Sequence, residues 1–308
     1  MKRTNIARGD VWQFRGKGYR MQTGERSVQP WLLLSPALAA VGVLLVVPVA
    51  FIIVYSFWLR TAIGTEQVGF HLDNWIEVLT DPFYRDILLQ TLRIAVLTTI
   101  GCIILGYPPA YFLAMSQTRH RLFLLILLMV PFWISYIIRT MSWINILGVS
   151  GALNSILMWL GVVDEPLQLL YNEATVILGL VHFLLPFMVL NVFVSLEGID
   201  RNLLDASRSL GATDWQSFIE VTLPLSMPGL AAGSLLCFVL AAGTYITPLV
   251  LGGPTNAMFA NLVFDAVITQ LNWPLGAALS LVLLIVLGAV VGLYNRFIGI
   301  DQLARSIR

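Results

Sequence analysis

The 308-residue chain is 58% hydrophobic and 11% charged, with a mean hydropathy of +0.83 and a formal net charge of +1. Soluble domains carry about a quarter charged residues, so this composition excludes a water-soluble fold and indicates an integral membrane protein. Because the net charge is close to zero and basic residues are not interleaved with aromatic ones, no nucleic-acid partner is expected.

Six apolar segments are long enough to cross the hydrocarbon core of a bilayer, which needs roughly 20 mostly apolar helical residues. They are Trp31–Trp58, Leu88–Ala114, Leu122–Leu147, Thr175–Leu196, Gly229–Leu251 and Leu275–Tyr294. The sequence therefore predicts an all-α fold, a polytopic bundle of six transmembrane helices within residues 31–298. Residues 1–30 and 299–308 are predicted to be tails, and the first span is expected to be retained rather than cleaved as a signal peptide.

The distribution of Lys and Arg predicts the orientation in the membrane. Fourteen of the 18 fall at the two ends of the chain and in the loops after the second and fourth spans, whereas the loops on the other side hold only Arg60 and Arg85. Lys and Arg are retained on the cytoplasmic side, so both termini are predicted to be cytoplasmic.

The cytoplasmic loop 197–228, between the fourth and fifth spans, reads as two short helices. Asp200 is a predicted N-cap of the first helix, and Gly211 is predicted to end it in a left-handed conformation. Between them, Leu203, Ala206 and Leu210 share one face.

The second helix of the loop is predicted to begin at a capping box, Thr213 to Gln216. Trp215, Phe218, Ile219 and Thr222 then recur at helical spacing and form an apolar stripe. Pro224 and Pro228 are predicted to stop this helix before the fifth span. The stripe either docks on another protein or folds back on the membrane or on its own bundle.

The same loop carries an ordered set of motif residues. They are Asp205, Ala206, Ser207, Gly211, Val221, Leu223 and Pro224. Their spacing resembles the EAA loop of ABC-importer permeases, which reads Glu-Ala-Ala, three residues, Gly, nine residues, Ile-x-Leu-Pro. Three conservative departures are present: Asp205 for Glu, Ser207 for Ala and Val221 for Ile.

The resemblance implies the permease subunit of a type I ABC importer in a bacterial inner membrane. It further implies that the loop couples the spans to a dimer of cytoplasmic ATPase subunits, which bind ATP and Mg²⁺. A second homologous permease and a periplasmic solute-binding protein are the other implied partners.

Several shorter motifs resemble the first permease of spermidine/putrescine-type importers, over roughly residues 70–295. They are Leu72-Asp73-Asn74-Trp75, Asp81-Pro82-Phe83-Tyr84, Gly106-Tyr107-Pro108-Pro109-Ala110-Tyr111, Pro131-Phe132-Trp133, Leu185-Pro186-Phe187-Met188 and Leu251-Gly252-Gly253-Pro254. This resemblance implies a polyamine, or a related amine or opine, as the solute.

The chain shows no motor or catalytic signature of its own. A phosphate-binding loop ending at Gly16-Lys17 would need Gly where Val11 stands, and no HExxH or CxxC occurs. The chain is therefore not expected to be an enzyme or to hold a cofactor or metal, and Cys102 and Cys237 are expected to be small core residues. An ion-coupled secondary transporter or channel is the alternative, although none of the six segments contains Asp or Glu.

Two ionisable residues inside spans have open roles. His182 is interpreted as a hydrogen-bonded packing residue or as a proton relay. Arg139 lies 17 residues after Leu122, or roughly 25 Å along a continuous helix, which predicts a position near the outer interface. There it would snorkel or contact another subunit, the alternative being an anionic group in the pathway.

Candidate residues for the substrate pathway are chosen by side-chain chemistry, because a polyamine needs aromatic faces and carboxylates around its cationic groups. They are Trp133, Tyr136, Thr244, Tyr245 and, outside the predicted spans, Asp265. Roles in packing and at interfaces are the alternative for the same residues.

Overall fold

A computed structural model describes residues 29–62, 65–116 and 119–298 of the chain. Apart from Gln29 and Pro30, the two predicted tails lie outside the described residues, as do Val11, Gly16 and Lys17. The predictions on those residues therefore stay predictions.

Twelve α-helices make up most of the described residues. They are α1 Gln29–Tyr55, α2 Asp73–Thr80, α3 Pro82–Met115, α4 Arg121–Met129, α5 Tyr136–Leu147, α6 Ala152–Trp159, α7 Glu173–Glu197, α8 Arg201–Ser209, α9 Asp214–Ser217, α10 Leu223–Ala242, α11 Phe259–Phe264 and α12 Trp273–Ile298. The two short strands β1 Leu59–Ala62 and β2 Thr65–Gln67 form an antiparallel hairpin with Arg60 opposite Glu66.

Tighter or wider helical turns join several of these helices. The 3₁₀ turns are Val130–Trp133 and Pro254–Asn256, and the π-helical turns are Phe218–Thr222, Pro248–Gly252 and Asp265–Thr269. Counting continuous helical stretches, six within the described residues are long and apolar enough to cross a membrane. They are Leu34–Tyr55, Pro82–Met115, Tyr136–Trp159, Glu173–Glu197, Asp214–Ala242 and Trp273–Arg296. The predicted all-α class with six spans is confirmed.

The main core lies between α3, α7 and α10. Leu184 and Met188 of α7 are fully buried there, together with Ile94 of α3. Glycines bring the helices close: a Cβ on Gly229 would lie 2.3 Å from the Ser195 Cβ and 2.4 Å from the Asn191 carbonyl oxygen. Small residues of this kind let membrane helices pack backbone against backbone.

Ion pairs join α7 to neighbouring helices at both of its ends. Arg93 of α3 pairs with Glu173 at the start of α7, and Arg121 of α4 lies 2.5 Å from Glu197 at the end of α7. A second core lies at the start of α3, which packs there against α2, α11 and α12. Val78 and Phe259 are buried in this core. Residues 252–274, which the sequence reading left between the fifth and sixth spans, are largely helical.

The prediction of a continuous third span, Leu122–Leu147, is wrong. The helix stops at Met129, passes through the 3₁₀ turn that contains Pro131, and becomes extended at Ile134 and Ser135, where ψ is 136° and 133°. Pro131 lacks the N–H group that a continuing helix needs. We call residues 130–135 the helix break.

The predicted bounds of the fifth span, Gly229–Leu251, are also wrong, because a continuous helix runs from Asp214 to Ala242. Pro224 and Pro228 do not stop it. In the π turn the Leu223 N–H bonds to the Phe218 carbonyl five residues back. Pro224 then lies in the first turn of α10, where a missing N–H group is tolerated.

Candidate functional site

The first helix of the loop 197–228 is bounded as its sequence predicts. The Asp200 carboxylate accepts a hydrogen bond from the Asn202 N–H at 3.0 Å and so caps α8. At the other end Gly211 has φ +89°, and its N–H donates to the Arg208 carbonyl at 2.9 Å. The left-handed conformation strains any residue with a Cβ, so glycine suits this position.

The predicted capping box at the start of α9 is confirmed. The Thr213 N–H donates to Gln216 Oε1 at 2.8 Å, and the Gln216 N–H donates to Thr213 Oγ1 at 3.3 Å. Two further contacts hold α8 against α9. The Ser207 and Ser217 hydroxyls lie 2.7 Å apart, and Arg208 Nη2 donates to Asp214 Oδ1 at 3.1 Å.

The predicted apolar stripe is divided between the bundle and the outer surface of the loop. The Phe218 ring makes edge contacts with Tyr107 and Tyr111 of α3 at centroid distances of 5.8 and 5.4 Å, and Thr222 is buried. Trp215 and Ile219 remain 68% and 43% exposed. The stripe therefore folds back on its own bundle at Phe218 and Thr222, whereas Trp215 and Ile219 stay exposed because the π turn at Phe218–Thr222 changes the helical register. Docking of the stripe on another protein stays a prediction.

An apolar surface faces outward from the loop. Leu203 is 48% and Leu210 is 90% exposed, and Ala206 between them is exposed as well. With Trp215 they form what we call the coupling surface: Leu203, Ala206, Leu210 and Trp215.

The motif residues occupy two different places. Those exposed on the loop are Asp205, Ala206 and Gly211, whereas Ser207 is half-buried because it joins α8 to α9. Val221 and Leu223 are half-buried where the helix enters the bundle, and Pro224 is exposed there. The motif residues thus lie partly on and just after the exposed helix α8, and partly where the following helix enters the bundle.

The structure brings together two of the candidate pathway residues. The Tyr136 hydroxyl lies 3.0 Å from Thr244 Oγ1 and also bonds the Thr247 hydroxyl, while the Tyr136 ring packs on Phe183 at 4.3 Å. Thr247 was missed by the sequence reading, because a lone Thr in an apolar run carries no distinguishing signal. We call Tyr136, Thr244 and Thr247 the hydroxyl cluster.

The other three candidates are placed separately. Tyr245 stacks on Phe264 with ring centroids 4.9 Å apart, and Asp265 accepts a hydrogen bond from Gln270 Nε2 at 2.8 Å. Trp133, in the helix break, is 77% exposed.

Arg139 does not snorkel, so that prediction is wrong. Its side chain is only 8% exposed, its Nη1 donates to the Pro131 carbonyl at 3.1 Å, and its guanidinium carbon lies 5.3 Å from the centre of the Phe183 ring. The position estimated along a continuous helix fails because the helix is broken.

His182 and the two cysteines have packing roles in the structure. The Trp143 Nε1–H donates to His182 Nδ1 at 3.3 Å, which agrees with the packing interpretation of His182. Cys102 and Cys237 are free thiols that are fully buried in the main core, as predicted. No group of three or more His, Cys, Asp or Glu residues that could hold a metal ion occurs in the described ranges.

Comparison with known proteins identifies the family. Residues 27–299 match the family described as binding-protein-dependent transport system inner membrane component. The chain is 41% identical over 249 residues to the spermidine/putrescine transport system permease protein PotB of Escherichia coli (strain K12), covering 81% of this chain and 90% of PotB. It is 35% identical over 242 residues to the inner membrane ABC transporter permease protein YdcU of the same strain, covering 74% and 76%.

The fold is also shared with solved structures. A chain of a bacterial ABC transporter that imports the acidic polysaccharide alginate superposes with a TM-score of 0.70 at 17% identity, covering 88% of this chain and 96% of that one. A chain of the MetNI methionine ABC transporter gives 0.53 at 16% identity, covering 71% and 98%. The chain therefore belongs to the family of binding-protein-dependent inner membrane transport components, and it is a permease subunit of an ABC importer rather than an ion-coupled transporter.

Proposed function

We propose that this permease forms half of the translocation pathway of an importer for a polyamine or a related amine. The observation that carries the proposal is the similarity to PotB, whose name specifies spermidine and putrescine and 90% of whose length is covered. The relative YdcU is named only as an ABC transporter permease, so the broader class of amines stays within the proposal.

Energy for transport comes, in this proposal, from ATP and Mg²⁺ bound by a dimeric ATPase on the cytoplasmic side, where both termini also lie. The coupling surface supports such a contact, because Leu210 and Trp215 are 90% and 68% exposed on two helices with well-formed caps. Exposed apolar side chains on rigid helices favour burial against another protein. Closure of the ATPase would then pull on α10 through Val221, Leu223 and Pro224.

The remaining partners are a second homologous permease and a periplasmic solute-binding protein. A solved alginate transporter with a TM-score of 0.70 to this chain is described in complex with such a periplasmic protein. Along the pathway, the hydroxyl cluster, Trp133 and the Tyr245 ring supply the oxygen atoms and aromatic faces that amines bind, and Asp265 supplies a carboxylate.

Uptake by the complete importer in proteoliposomes tests the solute and the coupling together. With ATP enclosed on the ATPase side, we expect radiolabelled spermidine or putrescine to accumulate. Ala206→Trp should reduce uptake at least about tenfold, since a bulky ring on the coupling surface costs on the order of 1.4 kcal/mol or more of docking energy.

Ala289→Trp is the matched control, because Ala289 is exposed on α12, away from the loop. Its uptake should stay within about twofold of the native value, since surface substitutions rarely change energies by more than about 0.5 kcal/mol. Native uptake by Ala206→Trp would contradict the docking role, and absence of amine uptake by the native importer would contradict the solute.

A further inference from the structure

Among the described residues of the bundle, Arg139 is the one charged residue whose side chain is buried. Its exposure is 8%, and the other buried polar side chains there are uncharged Ser, Thr and Asn residues. No described carboxylate lies within ion-pairing distance of it, and its Nε has no hydrogen-bond partner among the described residues. Such a cation costs several kcal/mol to bury, so a compensating interaction is required.

The contacts of Arg139 lie near the middle of the bundle. Phe183, whose ring faces the guanidinium, is ten residues after the start of α7 at Glu173 and fourteen before its end at Glu197. At 1.5 Å per residue, these positions are about 15 Å and 21 Å from the two ends of the helix. Water is scarce at this depth, so a hydrogen bond from a charged donor is stronger than it would be at the surface.

The acceptor for Arg139 lies inside the helix break. The Pro131 carbonyl receives both the Ile134 N–H at 3.3 Å and Arg139 Nη1 at 3.1 Å. Pro131 belongs to the end of the α4 half-helix, where carbonyls lack helical partners and the helix dipole is negative. The guanidinium therefore supplies this carbonyl with a second donor besides the Ile134 N–H, while its central carbon lies 5.3 Å from the centre of the Phe183 ring of a different helix.

The break also sets the position of the hydroxyl cluster. Tyr136 is the first residue of α5, directly after the extended residues Ile134 and Ser135, and its ring packs on Phe183, the ring that faces Arg139. Phe132, within the break, packs on Phe187 of α7 at 5.0 Å. Arg139 thus connects the helix break, the helix after it and α7.

We propose that Arg139 is a positioning residue for translocation, which fastens the helix break to α7 and thereby holds Tyr136 against Thr244 and Thr247. The proposal rests on the proposed function for its link to solute movement. The geometry of the fastening does not depend on which solute is carried.

Thiol labelling tests the fastening directly. The reporter is Thr140→Cys, since Thr140 is 4% exposed on α5 beside Arg139 and the chain's own two cysteines are fully buried. In purified full-length chain we expect the reporter to react slowly with a maleimide. Adding Arg139→Gln should raise the labelling rate about tenfold, because losing a charge-assisted hydrogen bond makes local opening easier.

Arg139→Lys keeps the test decisive if the Gln variant fails to fold. The ammonium can reach the Pro131 carbonyl but has no flat face to lie over Phe183, so a rise of about threefold is expected. Arg93→Gln is the control, because Arg93 is 61% exposed in its pair with Glu173. It should leave the labelling rate within about twofold of native, as exposed pairs contribute little.

A double-mutant cycle and transport kinetics complete the experiment. Phe183→Leu and Arg139→Gln, made singly and together, should raise the labelling rate by less than the product of their single effects, because both remove the contact between Arg139 and Phe183. In the reconstituted importer Arg139→Gln should lower the ratio of maximal uptake rate to KM about tenfold, since it displaces Tyr136, one of the proposed solute contacts.

The labelling result is independent of the solute. Native labelling rates in both Arg139→Gln and Arg139→Lys would overturn the proposal. Faster labelling in both variants would support it even if the native importer moved no polyamine, an outcome that contradicts only the proposed function.

Discussion

The loop 197–228 and the helix break are both interruptions between helices, yet their sequences disclose them to very different degrees. In the loop, Asp200, Gly211 and Thr213 stand at the helix ends and each makes the local bond that its residue type predicts. In the break, Pro131 is the only comparable signal, and residues 122–147 otherwise read as one apolar helix. Sequence reading succeeded at the first and failed at the second.

The difference follows from the reach of the bonds that stabilise each region. The caps of the loop join residues two or three positions apart. The break depends on contacts with α7 and with the residues that follow α10, such as the bond between Tyr136 and Thr244, which are 108 residues apart. Three substitutions test whether tertiary packing dominates in the membrane and local bonding in the loop.

The largest effect is expected at Gly229, in the membrane core just after the loop. Gly229→Leu would place a side chain where even a Cβ meets the Asn191 carbonyl at 2.4 Å, so α7 and α10 must separate. We expect a loss of about 3 kcal/mol in the free energy of unfolding, seen as a lower midpoint of thermal unfolding in detergent. Gly288→Leu is the control, because no atom lies within 4 Å of its Cβ position. Equal midpoints of thermal unfolding for the two variants would contradict the expectation that packing between helices dominates stability in the membrane.

An intermediate effect is expected at Phe218, where the loop is joined to the bundle. Phe218→Ala removes the edge contacts with Tyr107 and Tyr111 from a half-buried ring, at a cost of about 2 kcal/mol. Hydrogen exchange should accelerate throughout α8 and α9 if this ring holds both helices.

The comparison variant for Phe218 is Trp215→Ala, because Trp215 is 68% exposed on the same helix. Its exchange rates should stay close to native while importer activity falls. Faster hydrogen exchange in Trp215→Ala than in Phe218→Ala would contradict these roles, because it would mean that Trp215 rather than Phe218 holds the loop to the bundle.

The smallest effect is expected at Gly211, within the loop. Gly211→Ala must adopt φ near +89° although nothing lies within 4 Å of its Cβ, so the cost is conformational strain of about 1 kcal/mol. Hydrogen exchange should increase in α8 alone, and Gly198→Ala, where φ is −74°, should show no change. An increase that spread into α10 would show that the loop is not a local unit.

The candidate site was predicted to different extents in its two parts. On the loop, the caps were predicted correctly, but the division of the stripe and the continuation of the helix past Pro224 were not, because a π turn leaves no signal in apolar periodicity. In the pathway, Tyr136 and Thr244 were chosen by chemistry alone, and Thr247 and the burial of Arg139 were not foreseen. Their proximity depends on the break, which sequence spacing cannot place in space.

The sequence by itself determined that this chain is a six-span membrane permease of a recognisable family, with a capped loop between its fourth and fifth spans. Those features depend on apolar length and on bonds between near neighbours, which a linear pattern records directly. Only the tertiary structure decided where the third span breaks, which side of the stripe is buried and that Arg139 lies inside the bundle. These depend on packing between helices distant in sequence, where a carbonyl or an aromatic ring supplies the missing partner.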